Sequence, residues 1–217
     1  MAIIDAFDAA GADWSTPYNE GGFTPLIYAS LHCALPTVRW LVARGQDVAQ
    51  TTPTGVGVLH VAVQRATDEV ARYLQEQGAD PFSATSQGEL PLLISLKSKG
   101  GLAMFRFVLE CYAEAGRDLD SALMPCLARI FDRQEADAIQ RLRALLAHVV
   151  RVPGDDEVRA YLALPGNAPS RSFRTLEQTL ATRLSGSLFA LLKAERIVRA
   201  SSHPPRAAPP WQGDAGL

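Results

Sequence analysis

Gly22-Phe23-Thr24-Pro25-Leu26-Ile27-Tyr28-Ala29 returns twice in this chain, each time thirty-three residues further on. The second copy is Gly55-Val56-Gly57-Val58-Leu59-His60-Val61-Ala62 and the third is Gly88-Glu89-Leu90-Pro91-Leu92-Leu93-Ile94-Ser95. A second marker keeps the same step, Gly45-Gln46-Asp47 recurring as Gly78-Ala79-Asp80. Self-similarity at this period belongs to chains built from one supersecondary unit stacked on copies of itself, because a lone unit cannot bury its apolar face. The period sets the architecture. It names no chemistry.

Outward from these copies, apolar Ile3, Ile4, Phe7 and Ala10 are spaced as on one face of a short helix over residues 2–10. Gly11-Ala12-Asp13 ends it and matches the later Gly-x-Asp triplets, so the chain opens on the second helix of a truncated copy. Gly11 to Gly22 is eleven residues, against ten from Gly45 to Gly55 and from Gly78 to Gly88. The spacing places the extra residue within Tyr18-Asn19-Glu20-Gly21.

These residues resemble the ankyrin-repeat family, whose pattern is G-x-TPLH-x-A, a second helix and a terminal G-A-D. The first full copy carries Thr24-Pro25-Leu26 and Tyr28-Ala29, then Val38, Trp40, Leu41 and Val42 on an outer helix. The second keeps Gly55, Leu59, His60, Ala62, Val70, Tyr73 and Leu74, but has Gly57 and Val58 for Thr and Pro. The third keeps Gly88, Pro91 and Leu92, with Leu90, Leu93 and Ser95 as departures. Its Lys99-Gly100-Gly101 turn reads one residue longer, since Phe105, Phe107, Val108 and Leu109 fit only after that shift. The likeness covers residues 1–111 and decays beyond.

The resemblance implies an all-α solenoid of stacked helix pairs joined by short β-turns, closed by a C-terminal helical cap. Thr24 suits an N-cap, and Pro25 suits the first helical position, where a missing N–H costs nothing. Gly22, Gly55 and Gly88 fall where the family makes its tight turn. The expected divisions are an array over 1–118 (a partial copy, then 22–54, 55–87 and 88–118) and a divergent fourth pair over 119–150. A cap over 151–200 and a disordered tail over 201–217 follow. Leu123 to Ala128 reads as the fourth first helix, Pro125 lying 3 × 33 + 1 residues after Pro25, with its partner over Glu135 to Val150. Glu157 to Leu164, Ser172 to Leu184 and Ser187 to Ala200 read as further helices. Every repeat array needs covered ends, and the segment after Val150 can supply one.

Composition narrows the function classes. The 217 residues are 47% hydrophobic and 20% charged, ordinary for a globular chain, with net charge −2 and thus no overall basic surface for nucleic acid. Residues 1–118 carry 8 Lys/Arg against 13 Asp/Glu, and residues 119–217 carry 13 against 10. Either two differently solvated surfaces or an acidic binding face on the first half accounts for this. Cys33, Cys111 and Cys126 are odd in number and show no CxxC spacing. They imply reduced, buried thiols and a cytoplasmic setting, not a disulfide framework or zinc site. The start does not read as a signal peptide, and no apolar run is long enough for a membrane span. With 18 Arg and 3 Lys, the usage resembles that of a GC-rich bacterial genome.

No catalytic, cofactor or metal constellation emerges. His60 stands in the TPLH slot, which the family uses for hydrogen bonds between neighbouring copies. His32 and Cys33 are adjacent, but adjacent helical side chains point about 100° apart. Asp68-Glu69, Asp118/Asp120 and Asp155-Asp156 sit at helix starts or turns, where capping explains them. Gly21-Gly22 and Gly100-Gly101 precede no Gly-Lys-Ser/Thr run and are not phosphate loops. The series Arg171, Arg174, Arg183, Lys193, Arg196 and Arg199 reads as a solvated helix face.

In the ankyrin family, partners are gripped by turn tips and exposed inner-helix residues. Carried over by position, this implies Glu20, Phe23, Leu31 and His32 from the first copy. The second supplies Thr54, Val56, Gln64 and Arg65, and the third Gln87, Glu89, Lys97 and Ser98. Phe23, Leu31 and Val56 are apolar for such sites, which fits either a binding hot spot or local packing against the lengthened loop. The implied protein is a monomeric, non-catalytic module for one protein partner, with no nucleic acid, membrane or cofactor. A narrower form is a bacterial immunity protein neutralising a toxin or enzyme. The alternative is a bacterial effector whose activity lies in residues 119–217, with the repeats as its targeting arm.

Overall fold

The computed structural model describes residues 9–14, 16–32, 34–65, 67–98, 101–133, 137–149 and 152–164, with 190–191 and 193–194. The expectations for Ile3, Ile4, Phe7, Cys33, Lys99-Gly100, the helix over 172–184, most of that over 187–200 and the tail with His203 and Trp211 fall outside these residues.

The described elements are helical: α1 (Pro25–His32), α2 (Leu35–Ala43), α3 (Val58–Arg65), α4 (Asp68–Glu76), α5 (Pro91–Ser95), α6 (Gly101–Glu114), α7 (Asp120–Arg133), α8 (Ala138–Ala147) and α9 (Asp155–Leu162). They form two layers. In the inner layer α1 packs on α3, α3 on α5 and α5 on α7; in the outer layer α2 packs on α4, α4 on α6 and α6 on α8. The core between the layers is apolar, with Ile27, Val38, Ala62, Leu74, Leu92, Phe105 and Leu142 almost wholly removed from water.

Local chemistry starts each inner helix in its own way. Pro25 and Pro91 open α1 and α5, and the buried Thr24 hydroxyl accepts a long bond from the Ile27 N–H (3.4 Å). α3 has neither Thr nor Pro at its start. Instead Nδ1 of His60, three residues in, accepts the Gly57 N–H at 3.1 Å. That is the second half of a capping box, with histidine doing what Glu or Gln does elsewhere. Close helix packing buries Ser30 and Ser95, whose hydroxyls donate back to the Leu26 and Leu92 carbonyls (2.7 and 2.6 Å).

The outer helices end alike. Gly45, Gly78 and Gly116 take φ of 81°, 97° and 61°. The N–H after each glycine reaches back to Leu41, Leu74 and Tyr112 carbonyls, closing a Schellman motif. The aspartate that follows then accepts a backbone N–H two residues on: Asp47 from Ala49, Asp80 from Phe82, Asp118 from Asp120. Gly116-Arg117-Asp118 is therefore a further marker, one that a strict 33-residue step misses because it lies thirty-eight residues after Gly78. The five extra residues lie within α6, which begins thirty-three residues after α4 and is fourteen residues long against nine. One of them comes before Phe107: Arg39 lies over the Tyr73 ring and Arg72 over the Phe107 ring, so thirty-three residues separate the cations but thirty-four the rings. The other four amount to about one further turn.

Two expectations need correction, and the extra residue of the first loop can be placed. Asp13 to Asn19 is six residues, whereas Asp47 to Thr52 and Asp80 to Thr85 are five. From Asn19 to Gly22 the first tip has the spacing of the others (Gly22 N to Asn19 O, as Gly55 to Thr52 and Gly88 to Thr85). The N–H that donates to the Phe23 carbonyl, however, is that of Tyr18, where Thr52 and Thr85 serve Val56 and Glu89, so the extra residue falls at Tyr18-Asn19, inside the expected stretch. Pro125 is not the opening residue of the fourth inner helix but lies inside α7, which begins at Asp120 directly after the Gly116 marker. The chain there omits the turn tip, so the match to Pro25 is accidental. α9 spans Asp155–Leu162, two residues ahead of the expected Glu157–Leu164, and packs on α7.

Candidate functional site: a groove along three turn tips

Each of the first three inner helices is preceded by a tip built to one plan. Thr52 and Thr85 hydroxyls, and the Asn19 carboxamide oxygen, accept the N–H of Val56, Glu89 and Phe23 at 3.0–3.1 Å. The tips also touch one another. Ser86 N–H donates to the Thr54 carbonyl (2.9 Å) across neighbouring tips. A Cβ on Gly22 would lie 2.3 Å from Pro53 Cδ, and one on Gly55 3.2 Å from Thr85 Cα, so both glycines permit tip-to-tip approach as well as positive φ.

Between tips and inner helices runs a groove of about 460 Å³, lined by Phe23, Leu31, Thr54, Val56, His60, Val61, Gln64, Thr85, Ser86, Gln87, Glu89, Ile94 and Lys97. It brings together eight of the twelve residues that the sequence points to: Phe23, Leu31, Thr54, Val56, Gln64, Gln87, Glu89 and Lys97. Glu20, His32 and Arg65 are exposed but do not line it. Ser98 departs further: it is buried at 9% exposure, just after the short α5. Val61, Ile94, Thr85 and Ser86 were missed. Val61 and Ile94 stand thirty-three and sixty-six residues after Tyr28, but Tyr28 does not itself line the groove, so the period gave no signal for them.

Charge in the groove is largely settled by one residue of the fourth pair. Arg129 of α7 grips both Glu89 carboxylate oxygens, Nη1 at 2.8 Å from Oε2, and Nη1 also donates to the Leu93 carbonyl at 2.9 Å. This bidentate bond holds the Glu89 carboxyl below its ordinary range, with Lys97 adding a smaller pull. Arg129 has no signature in local pattern, since it acts forty residues from its partner. His60, 2% exposed, donates from Nε2 to the Glu89 carbonyl (3.2 Å) and thereby ties the second tip to the third. Burial lowers its pKa, so the imidazole is neutral at pH 7.

Among the described residues, none in the groove pairs a nucleophile with a base. Cys111 and Cys126 are buried, and burial pushes their thiols up to about 11 and about 12. Among the described residues no cluster of His, Cys, Asp or Glu could hold a metal ion, and no helix is long and apolar enough to cross a membrane.

A second hollow, about 450 Å³ and almost wholly apolar, lies at the other side of the first pair among Trp14, Tyr18, Tyr28 and Trp40. Trp14 meets Trp40, and Tyr18 meets Tyr28, edge to face at 5.2 Å.

No family model matches the chain. A relative among curated proteins is Protein phosphatase 1 regulatory subunit 27 of the mouse (Mus musculus), 39% identical over 73 residues. The match covers 34% of this chain and 47% of the relative, so the chain spans about half the length of the protein it resembles.

Proposed function

We propose that this chain is a non-catalytic binding module of the ankyrin-repeat type that docks one protein partner in the groove between its turn tips and inner helices. The observation that carries it is the groove's composition and construction. Apolar Phe23, Leu31 and Val56 stand amid polar Thr54, Gln64 and Gln87, and the second and third tips are hydrogen-bonded to each other. Apolar anchors side by side with polar groups on a preorganised surface are the make-up of a protein interface. The printed name of the murine relative, a regulatory subunit, agrees with a role in binding and not in catalysis. The recurring tip, Schellman and Gly-x-Asp bonds support the repeat type, although no family model matches. In this reading α7 and α8 are a divergent fourth pair and the cap begins with α9.

The narrower form, a bacterial cytoplasmic immunity protein, draws on composition alone, and neither the groove nor the relative adds to it. An effector activity in residues 119–217 gains no support from the described part of that segment. Its buried groups are spent on packing, and Arg129 and Arg141 are spent on bonds to the third pair.

Site-specific photo-crosslinking in native lysate tests the proposal. A crosslinker at Gln64 or Gln87 is expected to capture one protein partner, and one at exposed Arg106 on α6 is not. Equal capture at both places, or none from the groove, overturns it.

A further inference from the structure

The groove is graded, and the gradient specifies a partner. Two rows of equivalent positions line it at thirty-three-residue steps. One row is Phe23, Val56, Glu89 and the other is Leu31, Gln64, Lys97. Both begin apolar at the first pair and end charged at the third. At the charged end Glu89 is neutralised by the two-pronged bond from Arg129. Lys97 is exposed and enters no ion pair among the described residues. The charge that the groove offers a partner is therefore a single cation, although residues 1–118 as a whole are acidic. An acidic segment would otherwise be repelled by this half of the chain, and the local inversion is made by Arg129 from outside the three copies.

Geometry adds a spacing. Packed helices lie about 8–10 Å apart, so two steps along the inner layer cover roughly 16–20 Å. An extended chain rises about 3.3 Å per residue, and the lysine stem shortens the gap, which leaves about four to six residues. Taking the groove as the docking site, we propose that its occupant is an extended peptide segment with a large apolar side chain and, about four to six residues away, a carboxylate. The apolar group seats against Phe23, Leu31 and Val56, and the carboxylate meets Lys97.

The test is selection of random twelve-residue peptides displayed on phage against the full chain, followed by affinity measurement on the selected peptides. Enrichment of a large apolar residue paired with Asp or Glu at that spacing is expected. The position equivalents supply mild variants, since Gln64 already occupies the place of Leu31 and Lys97. Leu31→Gln should weaken the selected peptides about tenfold, and Lys97→Glu about tenfold, with Lys97→Arg restoring binding. Thermal melts confirm that each variant is folded. Peptides that need Leu31 but show no acidic residue, or are indifferent to Lys97→Glu, overturn the partner chemistry and leave the groove standing. Peptides indifferent to both substitutions, or no enrichment at all, overturn the groove as well.

Discussion

At the scale of single residues, two groups hold the tips in place and make opposite demands. Gly22 must have no Cβ, since one would meet Pro53 at 2.3 Å and would also force φ of 75° on an L-residue. Gly45 has similar φ, 81°, but open space around it. Gly45→Ala should therefore cost about 1 kcal/mol, the strain alone, and Gly22→Ala about 2–4 kcal/mol. Urea unfolding of both variants checks this; equal losses would mean that the tips are not in contact. His60 must stay neutral, because both its nitrogens are committed and a second proton would point at the Gly57 N–H. Its folded pKa lies below the ordinary 6.5, so between the two values the unfolded chain binds more protons. Stability is full above about pH 6.5 and declines as pH falls through that window. In His60→Gln the slope between pH 7 and 5 should flatten, measured as urea midpoint against pH; an unchanged slope would clear His60 of the effect.

At the scale of elements, the fourth helix pair is fastened to the third by arginines more than by pattern. Arg141 of α8, 5% exposed, donates to the Leu96 carbonyl and at 2.9 Å to Asp137. Removing it takes the partner from the second Asp137 oxygen, and the first already lacks one among the described residues. Arg141→Ala should cost about 3 kcal/mol, and adding Asp137→Ala should recover part of that, because a buried ion without its partner is worse than neither. A double-mutant cycle by denaturant titration measures it, and strictly additive losses would count against the coupling. These bonds also mark where the sequence stops being legible. Helices α1 to α5 and the start of α6 follow from the thirty-three-residue frame, because their starts keep that step and the Gly-x-Asp stops of the first two pairs recur at the same offset. The frame fails at α6, where one added turn moves Gly116 off the period, and at α7, where no tip precedes the helix and Pro125 imitates a start. Most of the groove's residues were legible through the family resemblance, position by position, and not through the period alone. Arg129 was not, since its work depends on a contact between distant elements that no local spacing encodes.

At the scale of the whole molecule, the question is whether the helices after Asp118 stand apart from the array or complete it. In a stack, each pair is stable only through its neighbours, and a terminal pair stripped of its cover exposes a full apolar face. The contacts here run on without a break, α5 to α7 and α6 to α8, with Leu92, Leu96, Leu109, Leu127 and Leu142 buried in one continuous core. A chain ending at Asp118 loses that cover, the Arg129 grip on Glu89 and the Arg141 bond to Leu96 together. Such a fragment should melt about 10 °C or more below the full chain, or fail to fold, and should bind a hydrophobic dye. Limited proteolysis of the full chain should correspondingly yield no stable piece beginning near Asp118. A fragment 1–118 that melts within a few degrees of the full chain, together with a resistant piece from 119 onward, would show two independent units. The groove ties this outcome to function. Because Arg129 neutralises Glu89 from outside the three copies, a folded 1–118 would present an unpaired carboxylate beside Lys97. It should then bind acidic peptides less tightly than the full chain does, even with Phe23, Leu31 and Val56 intact.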